Sequence, residues 1–194
     1  LECAQALLRE RLGAIVYGSE KEDLESVVIA ALCERNQTLA VAESCTGGLM
    51  AQRLTSVAGA SEVFLGGVVA YSNELKTKLL GVDETLLARQ GAVSEEVARA
   101  MAEGACEKLG AQFGVATTGI AGPTGGTPGK PVGLAYVAVA RAGAETQVRR
   151  FRLEMERNRH RLLTSQIALD GLRRCILELD WQITSVGGVS RPPS

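Results

Sequence analysis

The stretch Thr38-Leu39-Ala40-Val41-Ala42 is a short apolar run without polar alternation, and it constrains the fold more than any other part of the chain. A strand that shows apolar side chains to both sides must be covered on both sides, as an inner strand is in a helix-covered sheet. The run leads through Glu43 and Ser44 into Gly47-Gly48, and a helical pattern through Leu49, Leu54 and Val57 follows. Before it, the spacing Leu24, Val27, Val28, Ala31, Leu32 predicts a helix. Gly66 to Ala70 and Phe113 to Thr117 read as further strands. Leu75, Leu79 and Leu80 mark a short helix, and Thr85 to Arg89 another. Ser94, with Glu95 and Glu96 behind it, is an N-cap for a helix carrying Val97, Met101, Ala105, Cys106 and Leu109 inward. Val132 to Ala140 and Glu145 to Leu153, separated by Gly143, predict an antiparallel hairpin, and Arg157 to Leu179 a last helix. The expected class is therefore α/β: a three-layer α/β/α sandwich whose mixed sheet includes a C-terminal antiparallel hairpin.

A chain of 194 residues fits one main domain, expected over residues 24–181, with residues 1–23 as a connector and 182–194 as a disordered tail. Apolar residues make up 46% and aromatics 4%, so the core must be built from Ala, Val, Leu and Ile packed closely. The charge of -1, from 21 basic and 22 acidic residues, provides no field for a nucleic-acid backbone or an anionic membrane. With no apolar run of membrane-spanning length and no leader pattern in Leu1-Glu2-Cys3-Ala4, a cytoplasmic location is the expectation. The cysteines Cys3, Cys33, Cys45, Cys106 and Cys175 contain no CxxC pair, which predicts reduced thiols and no zinc site. His160 is the single histidine, so multi-histidine metal chemistry within one chain is excluded. Its neighbours Arg157, Arg159 and Arg161 suggest an exposed position.

Ligands of open α/β sheets gather where strand ends lead into helix starts. Ser44 to Gly48 is such a place, and three uses of it are open: phosphate binding, oxyanion stabilisation beside a serine nucleophile, or a plain helix cap. It matches neither the nucleotide-triphosphate loop nor the G-x-S-x-G elbow. A serine nucleophile needs a base, and the candidate is Lys76, beyond the strand end Tyr71-Ser72-Asn73. Lysine serves only when neutral, and lowering its pKa from about 10.4 to about 7 or 8 takes roughly 3 to 5 kcal/mol of desolvation and like-charge pressure. Without such a setting, Lys76 and Lys78 read as one solvated helix face. Cys45 is either a rival nucleophile at a helix start or a small buried hydrophobe. The Gly/Pro-rich segment from Gly119 to Pro131 is long enough to suggest function. Six arginines lie between Arg149 and Arg161. Half of them suit the outer face of an edge strand, and Arg157, at a helix start, suits a phosphate.

Four segments occur in one order: Ala42-Glu43-Ser44-Cys45-Thr46-Gly47-Gly48, Tyr71-Ser72-Asn73-Glu74-Leu75-Lys76, Gly91-Ala92-Val93-Ser94 and Thr118-Gly119-Ile120-Ala121-Gly122-Pro123. Together they closely resemble the CinA C-terminal domain family, the PncC-type nicotinamide mononucleotide (NMN) deamidases, over about Leu24 to Leu179. The resemblance implies hydrolysis of the NMN carboxamide to nicotinate mononucleotide and ammonia, a step of the pyridine nucleotide cycle in NAD salvage. It implies Ser44 as nucleophile, Lys76 as base and Tyr71 beside them, with no metal or other cofactor. N–H groups near Thr46 to Gly48 would hold the oxyanion. Cys45, Thr46, Gly47, Gly48, Asn73, Thr118, Gly119 and Gly122 would line the substrate site, and Arg157 or Arg161 would take the phosphate. Met155-Glu156-Arg157 departs from the family's G-D-R-like segment. A homodimer or larger homo-oligomer is also implied. The competing expectation is a non-catalytic nucleotide-binding or regulatory half of a competence/damage-inducible CinA-type protein.

Overall fold

The inner strand expected from the apolar run is β1, Leu39–Glu43, and all five of its residues are buried. In the computed structural model, which describes residue 7 and residues 10–19 and 22–181, the helix before it is α1, Leu24–Glu34, and the one after it is α2, Leu49–Thr55. The chain continues through β2 (Phe64–Val69), α3 (Asn73–Leu80), α4 (Glu84–Gln90), α5 (Glu95–Leu109), β3 (Phe113–Gly119), β4 (Leu134–Arg141), β5 (Gln147–Arg152) and α6 (Arg157–Ile176). The five strands form one sheet in the order β2-β1-β3-β4-β5. β1 is parallel to β2 and β3, while β3–β4 and β4–β5 are antiparallel. The mixed sheet and its C-terminal hairpin are those expected. The expected tail at 182–194 lies outside the described residues, as does part of the connector expected over residues 1–23.

Alternation along the strands divides the core in two. Leu39, Val41, Phe113, Val115, Val137 and Val139 point to the side covered by α1, α2 and α6. Ala40, Ala42, Ala116, Ala138 and Ala140 point to the side covered by α3, α4 and α5. Branched and aromatic side chains fill the first gap, whereas the second is closed by bringing backbone near. A Cβ on Gly114 of β3 would lie 2.1 Å from the Ala102 carbonyl oxygen of α5. The α3–α5 layer is thereby set close against the sheet.

Side-chain caps begin the helices where the sequence provides short polar residues. Asp23 accepts from Ser26 N–H at 2.9 Å, Ser72 from Leu75 N–H at 3.2 Å and Ser94 from Val97 N–H at 3.3 Å. α6 stops at Ile176, three residues short of the expected Leu179, and the chain turns at Glu178 with a left-handed φ of 55°.

His160 is fully buried, contrary to the exposure expected from its arginine neighbours. The inward stripe of α6 runs through His160, Thr164, Ala168 and Leu172 at four-residue spacing, so position 160 falls on the inner side. Its Nε2 lies 3.3 Å from the Gly133 carbonyl oxygen, and burial, with a smaller contribution from Arg157, lowers its pKa below 6.5. β5 is an edge strand, and Arg150 and Arg152 are exposed on it, while Arg149 stacks on Trp181 at 5.3 Å. No helix among the described residues is long and apolar enough to cross a membrane.

Candidate active site

β2 and β3 flank β1 on opposite sides, and the carboxyl ends of these three parallel strands open at one edge of the sheet. That is the switch point where open α/β sheets receive ligands. Ser44 follows the last residue of β1, and its N–H donates to the Thr117 carbonyl at 3.0 Å, which continues the ladder by one step. Glu43, on the phase of Leu39 and Val41, turns to the α2 side. Ser44 turns to the other side, where α3 brings Lys76.

Lys76 lies one turn into α3 and is buried, with 1% of its surface exposed. Its Nζ is 3.2 Å from Ser44 Oγ and donates to the Ala70 carbonyl oxygen at 2.7 Å. Burial lowers its pKa below 10.5, opposed by the Cys45 thiol. The solvated-face expectation for this lysine is therefore overturned, because α3 packs that side onto the sheet and α5. With the amine neutral, one N–H serves Ala70 and the lone pair is free to accept the Ser44 proton.

The Glu43 carboxylate is fully buried and accepts from three backbone N–H groups: Gly48 at 2.9 Å, Met50 at 3.1 Å and Ala51 at 2.8 Å. It supplies the acceptors that the first turn of α2 lacks. The Gly48 N–H is thereby engaged, which narrows the expected oxyanion donors to Thr46 and Gly47. Those two N–H groups make no hydrogen bond among the described residues. The Cys45 thiol turns inward, where burial, against a hydrogen bond with Thr117, pushes its pKa up to about 12. A thiolate nucleophile is excluded there at neutral pH.

The loop is tied down from two sides. Thr46 Oγ1 and Thr117 Oγ1 are 2.7 Å apart, and Arg161 donates to the Thr46 carbonyl oxygen through Nε at 3.2 Å and Nη2 at 2.8 Å. Arg157 reaches the Gly122 carbonyl oxygen at 3.0 Å and the Tyr71 hydroxyl at 3.1 Å, which leaves Tyr71 61% exposed. Thr118 is buried and donates to the Ala92 carbonyl oxygen at 2.8 Å, which joins two of the four sequence motifs. Gly119 has no room for a side chain, because a Cβ would lie 2.8 Å from the Leu134 carbonyl oxygen. Asn73, the first residue of α3, is exposed. The structure thus brings Ser44 and Lys76 into direct contact, Arg161 onto their loop, and Tyr71, Gly122 and Arg157 into a second cluster.

Sequence reasoning missed Glu43, the Ala70 carbonyl and Thr117. The signal for Glu43 was present: a carboxylate at the end of a strand, out of phase with Ser44 and six residues before a helix. Ala70 contributes backbone only, and side-chain patterns carry no trace of it. Among the described residues, no group of three or more His, Cys, Asp or Glu side chains comes together that could hold a metal ion.

Fold and site together define an α/β/α domain with a buried serine–lysine pair at the carboxyl end of an inner parallel strand. The profile of the CinA C-terminal domain matches residues 21–176, and the chain belongs to that family. The CinA-like protein of Gemmatimonas aurantiaca is 50% identical over 173 residues, covering 88% of this chain and 40% of that protein. The CinA-like protein of Acidobacterium capsulatum is 51% identical over 170 residues, 88% of this chain and 41% of that protein. The chain spans about two fifths of the length of these curated relatives. Among solved structures, the competence/damage inducible protein CihA from Agrobacterium tumefaciens superposes with a TM-score of 0.76 at 39% identity, covering 81% of this chain and 96% of that one. A CinA superfamily protein from Escherichia coli gives 0.75 at 30% identity, with 84% and 97% covered.

Proposed function

We propose that this domain is an NMN deamidase that hydrolyses the nicotinamide carboxamide to nicotinate mononucleotide and ammonia. The observation that carries the reading is the 3.2 Å contact between Lys76 Nζ and Ser44 Oγ, made by a buried lysine whose pKa is lowered. The choice of substrate rests on the likeness of the four motifs to the NMN deamidases.

In this reading Ser44 Oγ attacks the carboxamide carbon while neutral Lys76 takes its proton. The tetrahedral oxyanion is held by the N–H groups of Thr46 and Gly47. Lys76 returns the proton to the departing ammonia; it then takes a proton from a water that attacks the acyl carbon and passes it to Ser44 Oγ as the Oγ–acyl bond breaks and the acid leaves. Ala70 keeps the amine aimed during each transfer. Arg157, which stands between Gly122 and Tyr71, takes the phosphate, and Asn73, Thr118 and Gly119 line the walls. The same likeness supports a homodimer or larger assembly, and residues 1–23 as a connector to a further domain.

The test is ammonia release from NMN by the purified protein, beside Ser44→Ala and Lys76→Ala. A positioned proton-transfer group contributes about 10²- to 10⁴-fold, so both variants should fall by at least about 10²-fold. Wild-type activity in either variant refutes the dyad. Thermal stabilisation by NMN without ammonia release by the wild type would point to a binding module instead.

A further inference from the structure

We propose that Arg161 is a positioning residue that orients and polarises the oxyanion-binding peptide of the Ser44 loop, and not a phosphate ligand. The inference rests on the Ser44–Lys76 acyl-transfer reading and gives one more residue a role in it.

Arg161 stands in the second turn of α6, on the side of the sheet opposite Lys76. Both its Nε and its Nη2 donate to a single acceptor, the Thr46 carbonyl oxygen, at 3.2 and 2.8 Å. The guanidinium lies against the loop, since a Cβ on Gly47 would come within 3.5 Å of Nη2. In a planar trans peptide the C=O and the following N–H point in opposite directions. Holding the Thr46 carbonyl towards α6 therefore turns the Gly47 N–H away from α6, to the side from which Lys76 approaches Ser44. A cation on the carbonyl also draws electron density through the amide and strengthens that N–H as a donor.

The surroundings disfavour a phosphate at this arginine. The start of α6 is filled by its own cap, because the Glu156 carboxylate accepts from Asn158 N–H at 2.8 Å and Arg159 N–H at 3.3 Å. Glu43 similarly fills the start of α2. Neither helix start therefore offers free N–H groups as a second anchor for a phosphate at Arg161, and two of the Arg161 donors already serve a carbonyl.

The test compares wild type, Arg161→Met and Arg161→Lys on NMN, on nicotinamide riboside, which has the same amide without the phosphate, and on p-nitrophenyl acetate, which needs only the acylation machinery. Loss of an oriented oxyanion donor lowers kcat by about 10²- to 10³-fold. Arg161→Met should show that loss on all three substrates, with KM for NMN within about threefold of wild type, and Arg161→Lys, which keeps one donor, a smaller loss of the same kind. Should Arg161→Met fail to fold, by circular dichroism, Arg161→Lys carries the comparison alone. A rise in KM confined to NMN with kcat retained makes Arg161 a phosphate ligand and overturns the proposal. Wild-type kcat in the variants does so too. If wild type cleaves the ester through Ser44 but releases no ammonia from NMN, the deamidase reading fails by itself, and the ester data decide on Arg161. A wild type inert towards all three substrates overturns both.

Discussion

Gly104 of α5 faces the end of α3, and replacing it by alanine should damage the site from a distance. A Cβ there would lie 2.0 Å from the Leu80 carbonyl oxygen and 2.9 Å from the Leu80 carbonyl carbon. Packed carbon and oxygen atoms need about 3 Å at the least, so the two helices must part by about 1 Å. Leu80 closes α3 one turn after Lys76. If α3 moves as a unit, the 3.2 Å contact between Lys76 and Ser44 opens to about 4 Å, beyond hydrogen-bond reach. The overpacking costs about 1–3 kcal/mol, and the better helix propensity of alanine returns about 1 kcal/mol. The net loss of up to about 2 kcal/mol lowers Tm by at most about 8 °C. A misplacement of 1 Å at the chemistry can cost about 10²-fold in rate. Ammonia release at saturating NMN, measured well below Tm, should therefore fall far more than stability does. The control is Gly110→Ala at the end of the same helix. Gly110 has φ +68° and no atom within 4 Å of a Cβ, so alanine there strains the backbone by about 1 kcal/mol without touching α3. Unchanged kcat in Gly104→Ala, or equal losses in both variants, would refute the reasoning.

Three further outcomes are expected. Since the Lys76 pKa is lowered by burial, the amine-dependent limb of kcat/KM should rise with pH through an apparent value below 10.5, and Lys76→Met should have no such limb. The same shift acts on stability. The unfolded chain binds more protons than the folded one between the two pKa values, so the cost of burying Lys76 is full below the folded value and is relieved as pH approaches 10.5. Urea unfolding of wild type and Lys76→Met over that range should show wild type gaining with pH, and a flat or opposite difference would contradict the assignment. Glu43→Gln removes the charge and one acceptor from the three N–H groups of α2, which should cost about 1–3 kcal/mol and reduce kcat more than it raises KM. An unaltered urea midpoint would show that α2 does not depend on this carboxylate.

What the sequence disclosed follows from which interactions are local. The apolar run of β1, the N-cap Ser94 and the hairpin about Gly143 are decided by near neighbours, and the structure has them within a few residues of expectation. Lys76 was not legible as a buried base from its surroundings in sequence, because its burial depends on Gly104, 28 residues later, letting α3 settle on α5. His160 shows the opposite failure. Its charged neighbours suggested solvent, although the four-residue spacing with Thr164 and Ala168 already placed it on the inner stripe. Two arginine candidates stood one turn apart, and only the tertiary arrangement tells that Arg157 meets Tyr71 and Gly122 while Arg161 meets Thr46. The resemblance named the loop, but not which of its N–H groups are left for a substrate.

The unequal faces of the sheet explain why a lysine can act here. Lysine reaches its partner on a long, flexible stem, and a base held only by such a stem would be poorly oriented. On the α3–α5 side the inner strands β1 and β3 carry Ala40, Ala42, Gly114 and Ala116, so α3 lies close enough for the stem to be enclosed and for Nζ to be fixed between Ala70 and Ser44. Enclosure also supplies the desolvation that moves the amine towards its neutral form, so one packing feature provides both aim and basicity. The larger residues on the opposite side leave α2 and α6 to carry the charged groups, Glu43's carboxylate at the start of α2 and Arg161 on the Thr46 carbonyl. Fixed charges thus act on the loop from one side of the sheet and the proton carrier from the other. Ser44 stands where the strand's alternation exchanges the two. An enlarged residue at Ala42 or Ala116 would therefore be expected to reduce catalysis by lifting the α3–α5 layer while leaving the Arg161 and Glu43 contacts in place.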